Sequence, residues 1–222
     1  MTESAWRDMV LLSFFWIGYF ALHSVLASLA VKRRVAATRP NLMPYYRLVF
    51  NILAALLLLP ILWLTYRDPG PMLWRWQGIT AWLANGLALA AVFGFWLSLK
   101  SYDMQEFLGF RQLKFHIRRV GDQEHFHLSR FHRFVRHPWY FFGLVMVWTR
   151  DMSAATLLSS VMITVYFIVG SRLEEKKLLV YHGDTYRRYM ARVPGLIPLP
   201  WKSLTAAEAE ALLKQKKDSR IE

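Results

Sequence analysis

The sequence predicts an all-α, polytopic membrane helix bundle of about five transmembrane helices, with a cytoplasmic C-terminal helical segment. Hydrophobic residues make up 55% of the 222 residues, a proportion that favours a membrane protein over a soluble domain. Long stretches carry no charged side chain, and the loops between them are alternately rich and poor in Lys and Arg. We therefore expect residues 1–222 to form one membrane domain.

Three apolar stretches within residues 9–99 are predicted to be spans. They are residues 9–31, 45–66 and 79–99. A helix rises about 1.5 Å per residue, so each stretch can cross a hydrocarbon core of roughly 30 Å. These three spans are expected to form the N-terminal part of the bundle.

A shorter apolar stretch and a final long one follow the third span. Residues 139–149 are too few to cross alone unless their basic flanks snorkel, whereas residues 153–170 are long enough. Arg150 and Asp151 separate the two stretches and predict a tight turn. We expect a helical hairpin, which returns the chain to the membrane face from which it started.

The net charge of +13 is concentrated in alternate loops. The first loop contains Lys32, Arg33, Arg34 and Arg39 without an acid, and residues 100–138 and the tail are also rich in bases. By the positive-inside rule these regions are cytoplasmic and the N-terminus is outside, as expected in a bacterial inner membrane. Basic residues arranged in this way indicate the lipid bilayer, and no nucleic acid, as the partner. The sequence does not predict an oligomeric state.

Polar residues inside or beside the early spans are candidates for function, because such groups are costly in a membrane. His23 and Ser24 lie in the first span, and Arg47 and Asn51 lie one turn apart in the second. Asp103 follows the third span on the basic side. The alternative interpretation is packing through hydrogen bonds between helices.

A denser polar motif, residues 133–140, joins the third loop to the short apolar stretch. Pro138 suits the first turn of a helix and places Arg136 and His137 just outside it. The hairpin brings residues 172–175, with their Arg and two Glu, back to the same face. Mixed charges of this kind suit a zwitterionic ligand, although they are equally typical of snorkelling bases paired with acids.

The tail after the last span is predicted to be helical and interrupted. Gly183 suits a helix stop, and Asp184 or Thr185 could cap the next helix. Residues 203–217 are expected to form a surface helix, since Thr205 and Glu208 make a capping-box pattern.

Residues 131–198 resemble the C-terminal segment of the membrane methyltransferases that include isoprenylcysteine carboxyl methyltransferase and phospholipid methyltransferase. The resemblance rests on Arg-His-Pro-x-Tyr at 136–140, Gly143, Glu-Glu at 174–175, Gly-Asp-x-Tyr at 183–186 and Val-Pro-Gly-Leu-Ile-Pro at 193–198. The N-terminal half adds polar residues similar to those of the bacterial NnrU-like branch, to which methanethiol S-methyltransferase is also similar.

This resemblance implies an S-adenosylmethionine-dependent methyltransferase that acts on a small thiol or lipophilic acceptor. It implies that Arg136 and Arg172 lie beside the reacting groups. The implied cofactor-binding residues are His137, Pro138, Tyr140, Gly143, Glu174, Glu175 and Tyr186. The expected acceptor-side residues are His23, Arg47, Asn51 and Asp103.

Other functions remain open at this point. An NnrU-like protein could be a non-catalytic accessory factor of a respiratory or nitrogen-oxide pathway, and the fold could also suit a membrane reductase. Seven His invite a haem site, but only His23 lies deep in a span. His125 and His127 are more typical of a solvated loop than of a metal site, and the absence of cysteine excludes thiolate ligands.

Overall fold

The fold is almost entirely helical in the computed structural model, which describes residues 3–120 and 128–218. The helices are α1 (Glu3–Ala27), α2 (Leu29–Thr38), α3 (Met43–Arg67), α4 (Gly78–Leu99), α5 (Met104–Leu108), α6 (Phe110–Lys114), α7 (Pro138–Trp148), α8 (Ala154–Arg192) and α9 (Ala206–Asp218). Short 3-10 turns precede α3 and α7, at Pro40–Leu42 and Phe131–Arg133. Two short strands, β1 (Met72–Trp74) and β2 (Met152–Ser153), pair antiparallel. The predicted all-α class is confirmed.

Four helices among the described residues are long and apolar enough to cross a membrane. They are Trp6–Ala27, Pro40–Arg67, Gly78–Leu99 and Ala154–Arg192. The fourth apolar stretch forms α7, a helix of 11 residues. The polytopic membrane bundle is thus confirmed, and the short stretch is helical at its predicted position.

The first span ends earlier than its apolar pattern predicts. The Ser28 side chain accepts a hydrogen bond from the Val31 amide and caps α2 as a separate helix. Lys32, Arg33 and Arg34 therefore lie on α2, just beyond the end of the first span. The hydrophobic pattern alone could not show this break, because the residues on both sides of Ser28 are apolar.

Large apolar side chains cover the outer faces of the long helices. Phe14 in α1, Leu59 in α3 and Trp82 in α4 are all more than half exposed. A soluble protein rarely exposes so many large apolar residues on contiguous helices, and lipid is the solvent that suits them.

The chain divides into two compact units. The first unit contains α1–α3, both strands, α5, α6 and the first residues of α4 and α8. The second contains α7, α9 and the remaining parts of α4 and α8.

A buried polar cluster joins three helices of the first unit. The Trp16 indole N–H in α1 donates to Ser159 Oγ in α8 at 3.0 Å, and Thr65 Oγ1 in α3 lies 3.2 Å from the same oxygen. Such hydrogen bonds hold helices together in lipid, where a polar group has no water to replace its partner.

The two strands tie together loops that the charge pattern assigns to one face. Met72 pairs with Ser153 and Trp74 with Met152, and the Trp76 amide donates to Asp151 Oδ1 at 3.0 Å. The segment before α4 and the turn before α8 therefore lie beside each other.

A buried aromatic cluster organises the C-terminal part of the second unit. Tyr186, Tyr189, Val193, Leu204 and Ala209 pack together, and the Tyr189 hydroxyl donates to the His132 carbonyl at 2.7 Å. Gly183 interrupts α8 with a φ of 49°, a conformation that suits glycine, which confirms the predicted helix stop.

The last helix begins with the predicted capping box. Thr205 Oγ1 accepts from the Glu208 amide at 3.2 Å, and Glu208 Oε2 accepts from the Thr205 amide at 2.7 Å. Hydrogen bonds that the Glu208 carboxylate accepts from the Thr205 amide, the Thr205 hydroxyl and Arg192 lower the pKa of this carboxyl.

Candidate active site

The central feature of the second unit is a carboxylate shared by two basic side chains. Glu175 Oε1 in α8 accepts from Arg136 Nε at 2.8 Å and lies 3.0 Å from His137 Nε2. Only about a tenth of the Glu175 and Arg136 side chains is exposed, and His137 is more deeply buried. The structure thus brings together three of the residues predicted to form the site.

A turn of backbone after α8 lies directly against this cluster. The Arg136 and His137 amides donate to the Pro194 and Gly195 carbonyls at 2.8 and 3.1 Å. The Arg136 guanidinium also donates to the Val193 carbonyl. A Cβ atom on Gly195 would approach Arg136 Nη2 to 3.3 Å, so a side chain there would crowd the guanidinium.

The rings of His137, Tyr140 and Phe167 form a stack. The Tyr140 ring lies parallel to the imidazole at 5.3 Å and to the Phe167 ring of α8 at 4.5 Å. Gly143 allows this approach, because a Cβ atom there would come within 3.0 Å of Phe167. The packing of α7 against α8 therefore explains the residue type at two positions that are predicted to bind the cofactor, Tyr140 and Gly143.

Helix geometry places the imidazole at the start of α7. His137 is the N-terminal flanking residue and Pro138, which is buried, occupies the first turn. Burial lowers the pKa of His137, but hydrogen bonds and charges from Glu174 and Glu175 outweigh it and raise the pKa to about 9. At neutral pH the imidazole is a cation, so it suits holding an anion better than accepting a proton.

The remaining residues of this unit that are predicted to form the site differ in their exposure. Glu174 Oε2 lies 3.4 Å from His137 Nδ1, and about 39% of the Glu174 side chain is exposed. Arg172 is exposed, one turn before Glu175 on α8. Tyr186 is only 1% exposed in the aromatic cluster, where its packing already explains a large aromatic residue.

The residues predicted to lie on the acceptor side belong to the first unit. Arg47 Nε and Asn51 Nδ2 both donate to the Phe107 carbonyl at 3.0 Å, which fixes α5 to α3. Asp103 caps α5 and forms an ion pair with Arg111. The His23 ring stacks on Tyr19 at 5.7 Å.

Sequence reasoning missed two contributors to the architecture of the site. Arg133 Nε donates to the Leu204 carbonyl at 2.9 Å and ties the loop before α7 to the chain before α9. Gly195 allows the backbone to approach Arg136. Both lie within motifs that had been singled out, but their partners are distant in sequence, so no local pattern could identify them.

The arrangement provides charges of both signs but no metal centre. Among the described residues no group of three or more His, Cys, Asp or Glu could hold a metal ion. His125 and His127 lie outside the described residues. The charged set, with a partly exposed carboxylate and an exposed guanidinium, fits a ligand that carries an amine, a carboxylate and hydroxyl groups.

The chain is similar to several curated enzymes over most of its length. It is 31% identical to methanethiol S-methyltransferase 2 of Bradyrhizobium diazoefficiens, over 86% of this chain and 74% of that protein. It is 29% identical to methanethiol S-methyltransferase of Crocosphaera subtropica, over 82% and 72% of the two chains, and 29% identical to the enzyme of Mycobacterium tuberculosis, over 83% and 76%. No family model matches, and no solved structure matches at a significant level.

These relatives are named as enzymes, which supports the predicted methyltransferase over a non-catalytic accessory protein. They also agree with the membrane methyltransferase branch predicted from the motifs at residues 136–140 and 174–175. The chain belongs to the methanethiol S-methyltransferase family.

Proposed function

We propose that the protein transfers a methyl group from S-adenosylmethionine to a small thiol, at the Arg136–His137–Glu175 cluster of the second unit. The observation that carries the proposal is the Glu175 carboxylate, which pairs with both Arg136 and His137. The amides of these two residues donate to the backbone at Pro194 and Gly195. The named activity of the relatives supports a thiol acceptor, with methanethiol as the first candidate.

The charges of the site support this cofactor. The partly exposed Glu174 carboxylate can accept hydrogen bonds from the amino group or ribose hydroxyls, and the exposed Arg172 guanidinium can pair with the carboxylate. When bound, S-adenosylmethionine supplies an electrophilic methyl group, whose carbon becomes bonded to the acceptor sulfur as its bond to the sulfonium sulfur breaks.

The protein's own residues contribute alignment rather than proton transfer. Methyl transfer is a displacement in which reactants must be held in line, so rigid positioning supplies much of the rate. Protonated His137 is not a base at neutral pH, and we expect the thiol proton to leave to water. Positive charge from Arg136 and Arg172 would favour the thiolate.

We also propose the orientation and the site of residence. By the positive-inside rule, the basic first loop and tail support a cytoplasmic C-terminus and an N-terminus outside, in a bacterial inner membrane. His23, Arg47, Asn51 and Asp103 stay predicted acceptor-side residues in this proposal.

Calorimetry on the full chain in detergent tests cofactor binding. We expect wild type to bind S-adenosylmethionine and Glu174→Gln to weaken binding by about tenfold or more, because a charge-assisted hydrogen bond is lost. Glu210→Gln, an exposed substitution on α9, is the matched control and should bind as wild type does. No binding by wild type, or equal binding by the two variants, would contradict the assigned site.

Methyl transfer is tested separately with a labelled methyl donor. Wild type supplied with methanethiol should form labelled dimethyl sulfide, measured by gas chromatography, and Arg172→Gln should form less. Binding of the cofactor without transfer to methanethiol or to other small thiols would reject the proposed acceptor while leaving the binding site intact.

A further inference from the structure

The first unit contains an apolar pocket of about 290 Å³. It lies between the end of α1, α2, the 3-10 turn at Pro40–Leu42 and the start of α3. Its walls are formed by Leu26, Val35, Leu42, Tyr45, Tyr46, Val49, Phe50 and Leu53. None of the catalytic or cofactor-binding candidates lines it.

The pocket is too large to fit closely around a thiol with a single carbon atom. A cavity of about 150 Å³ with apolar walls is large enough to hold benzene, and this pocket is roughly twice that size. Its walls offer almost no polar surface, and the Tyr46 hydroxyl is already used, since it donates to the Leu26 carbonyl at 2.6 Å. The pocket therefore suits a length of hydrocarbon chain.

The pocket is open along one face of a predicted span. Tyr45, Val49 and Leu53 follow one another at intervals of four residues, so they share a face of α3. Leu42 lies just before this helix, and each of the four side chains is more than a third exposed. An apolar chain can enter from the bilayer along this face without crossing water.

The helix that supplies one wall is strongly basic. Lys32, Arg33 and Arg34 lie on α2 within one turn of Val35, which lines the pocket, and Arg39 follows the helix. Residues 27–42 contain no Asp or Glu. Bases placed directly after a span lie at headgroup depth and attract anionic lipids in preference to neutral ones.

We propose that this pocket binds one acyl chain of an anionic phospholipid whose headgroup lies against the basic residues of α2. The site shares no residue with the methyl-transfer cluster and requires neither cofactor nor thiol. Apolar walls select a hydrocarbon chain, and the adjacent basic helix selects a negative headgroup.

Native mass spectrometry of the full chain in detergent tests the proposal. Phosphatidylglycerol and phosphatidylcholine with identical acyl chains are added in turn, and the fraction of protein that retains one lipid is measured. We expect wild type to retain phosphatidylglycerol more strongly. Equal retention of the two lipids by wild type would overturn the proposal.

Two sets of variants test separately the contribution of the apolar pocket and that of the basic residues to lipid retention. Val49→Trp fills the pocket and should abolish the retained lipid, whereas Val92→Trp, a similarly exposed valine on α4, should leave it unchanged. Arg34→Gln with Arg39→Gln, both exposed, should reduce retention of phosphatidylglycerol by about fivefold for each charge and leave phosphatidylcholine unaffected.

The measurement of lipid retention by native mass spectrometry also distinguishes a lipid site from a site for the thiol acceptor. Circular dichroism establishes that each variant keeps its helix content, and the charge variants test the proposal even if Val49→Trp does not fold. Equal retention by folded Val49→Trp and Val92→Trp, or by the charge variants and wild type, would refute the site. Displacement of phosphatidylglycerol by methanethiol would refute it in favour of an acceptor pocket.

Discussion

Arg136 and Glu175 form a largely buried salt bridge, with Nε 2.8 Å from Oε1, although 39 residues separate them in the chain. The bond joins the loop before α7 to α8 at the point where the helical hairpin returns. It therefore connects the two motifs on which the resemblance to membrane methyltransferases rests, and it gives Glu175 a structural role beside any role in binding.

Replacing Glu175 with Gln should destabilise the protein. The change leaves the Arg136 charge in a poorly solvated site without its partner, and such a loss costs about 3–5 kcal/mol. Thermal unfolding in detergent, followed by intrinsic tryptophan fluorescence, measures the effect. Glu210→Gln, an exposed substitution on α9, is the matched control and should unfold close to the wild-type temperature.

Replacing both partners separates stability from function. Arg136→Met with Glu175→Met removes the two charges together and should recover much of the lost stability, because well-packed apolar residues often replace a buried ion pair without cost. The double variant should still fail to transfer a methyl group. Recovery of transfer would show that the pair is only structural.

The raised pKa of His137 makes stability depend on pH. The imidazole keeps its proton up to a pH of about 9 in the folded protein, whereas its ordinary pKa is 6.5. Its contribution, on the order of 3 kcal/mol, is fully present below pH 6.5 and is lost as the pH rises through 9.

Unfolding temperatures between pH 6 and pH 9.5 check this effect. We expect wild type to lose stability over that range, and His137→Gln to show a flatter profile, because it lacks the group that titrates. The difference between the two profiles isolates His137 from other groups. Parallel profiles would mean that the acids do not hold the proton.

The sequence predicted the elements of the second unit better than its contacts. A proline at the first turn of a helix and a pair of acids after a span are local patterns, so Pro138 could be placed at the start of the hairpin and Glu174 and Glu175 at its return. That Glu175 binds both Arg136 and His137 depends on the rotation of α8 and on the backbone at Val193–Gly195. Neither is encoded in local spacing.

The polar residues of the first unit could be identified from the sequence, but their hydrogen-bond partners could not. Composition could identify Arg47 and Asn51 as costly in a span, but could not choose between binding and packing. Their shared acceptor, the Phe107 carbonyl, lies 60 residues from Arg47 and 56 residues from Asn51. The buried Trp16, Ser159 and Thr65 cluster was missed because each residue alone is ordinary in a membrane helix.

Two glycines of α4 provide a test of packing in the second unit. A Cβ atom on Gly94 would lie 2.6 Å from the Phe142 ring, whereas one on Gly86 would meet nothing within 4 Å. Gly94→Ala should therefore cost about 1–3 kcal/mol through overpacking against α7. Gly86→Ala should be neutral or slightly stabilising, since alanine favours helix. Thermal unfolding of the two variants gives the comparison, and equal temperatures would argue against the contact between α4 and α7.

The pair of donors on the Phe107 carbonyl is expected to anchor α5 to α3. Asn51→Leu and Arg47→Met each remove one hydrogen bond, which costs about 0.5–1.5 kcal/mol, and the carbonyl keeps its other donor. The double variant leaves the carbonyl without either, so its cost should exceed the sum of the single changes. Hydrogen exchange of the amides of Met104–Leu108 reports the anchoring directly. We expect slight acceleration in each single variant and marked acceleration in the double variant, while α9 exchanges at the wild-type rate in all three. An additive effect, or acceleration spread equally over α9, would show that the two side chains support the fold as a whole and do not act on this carbonyl.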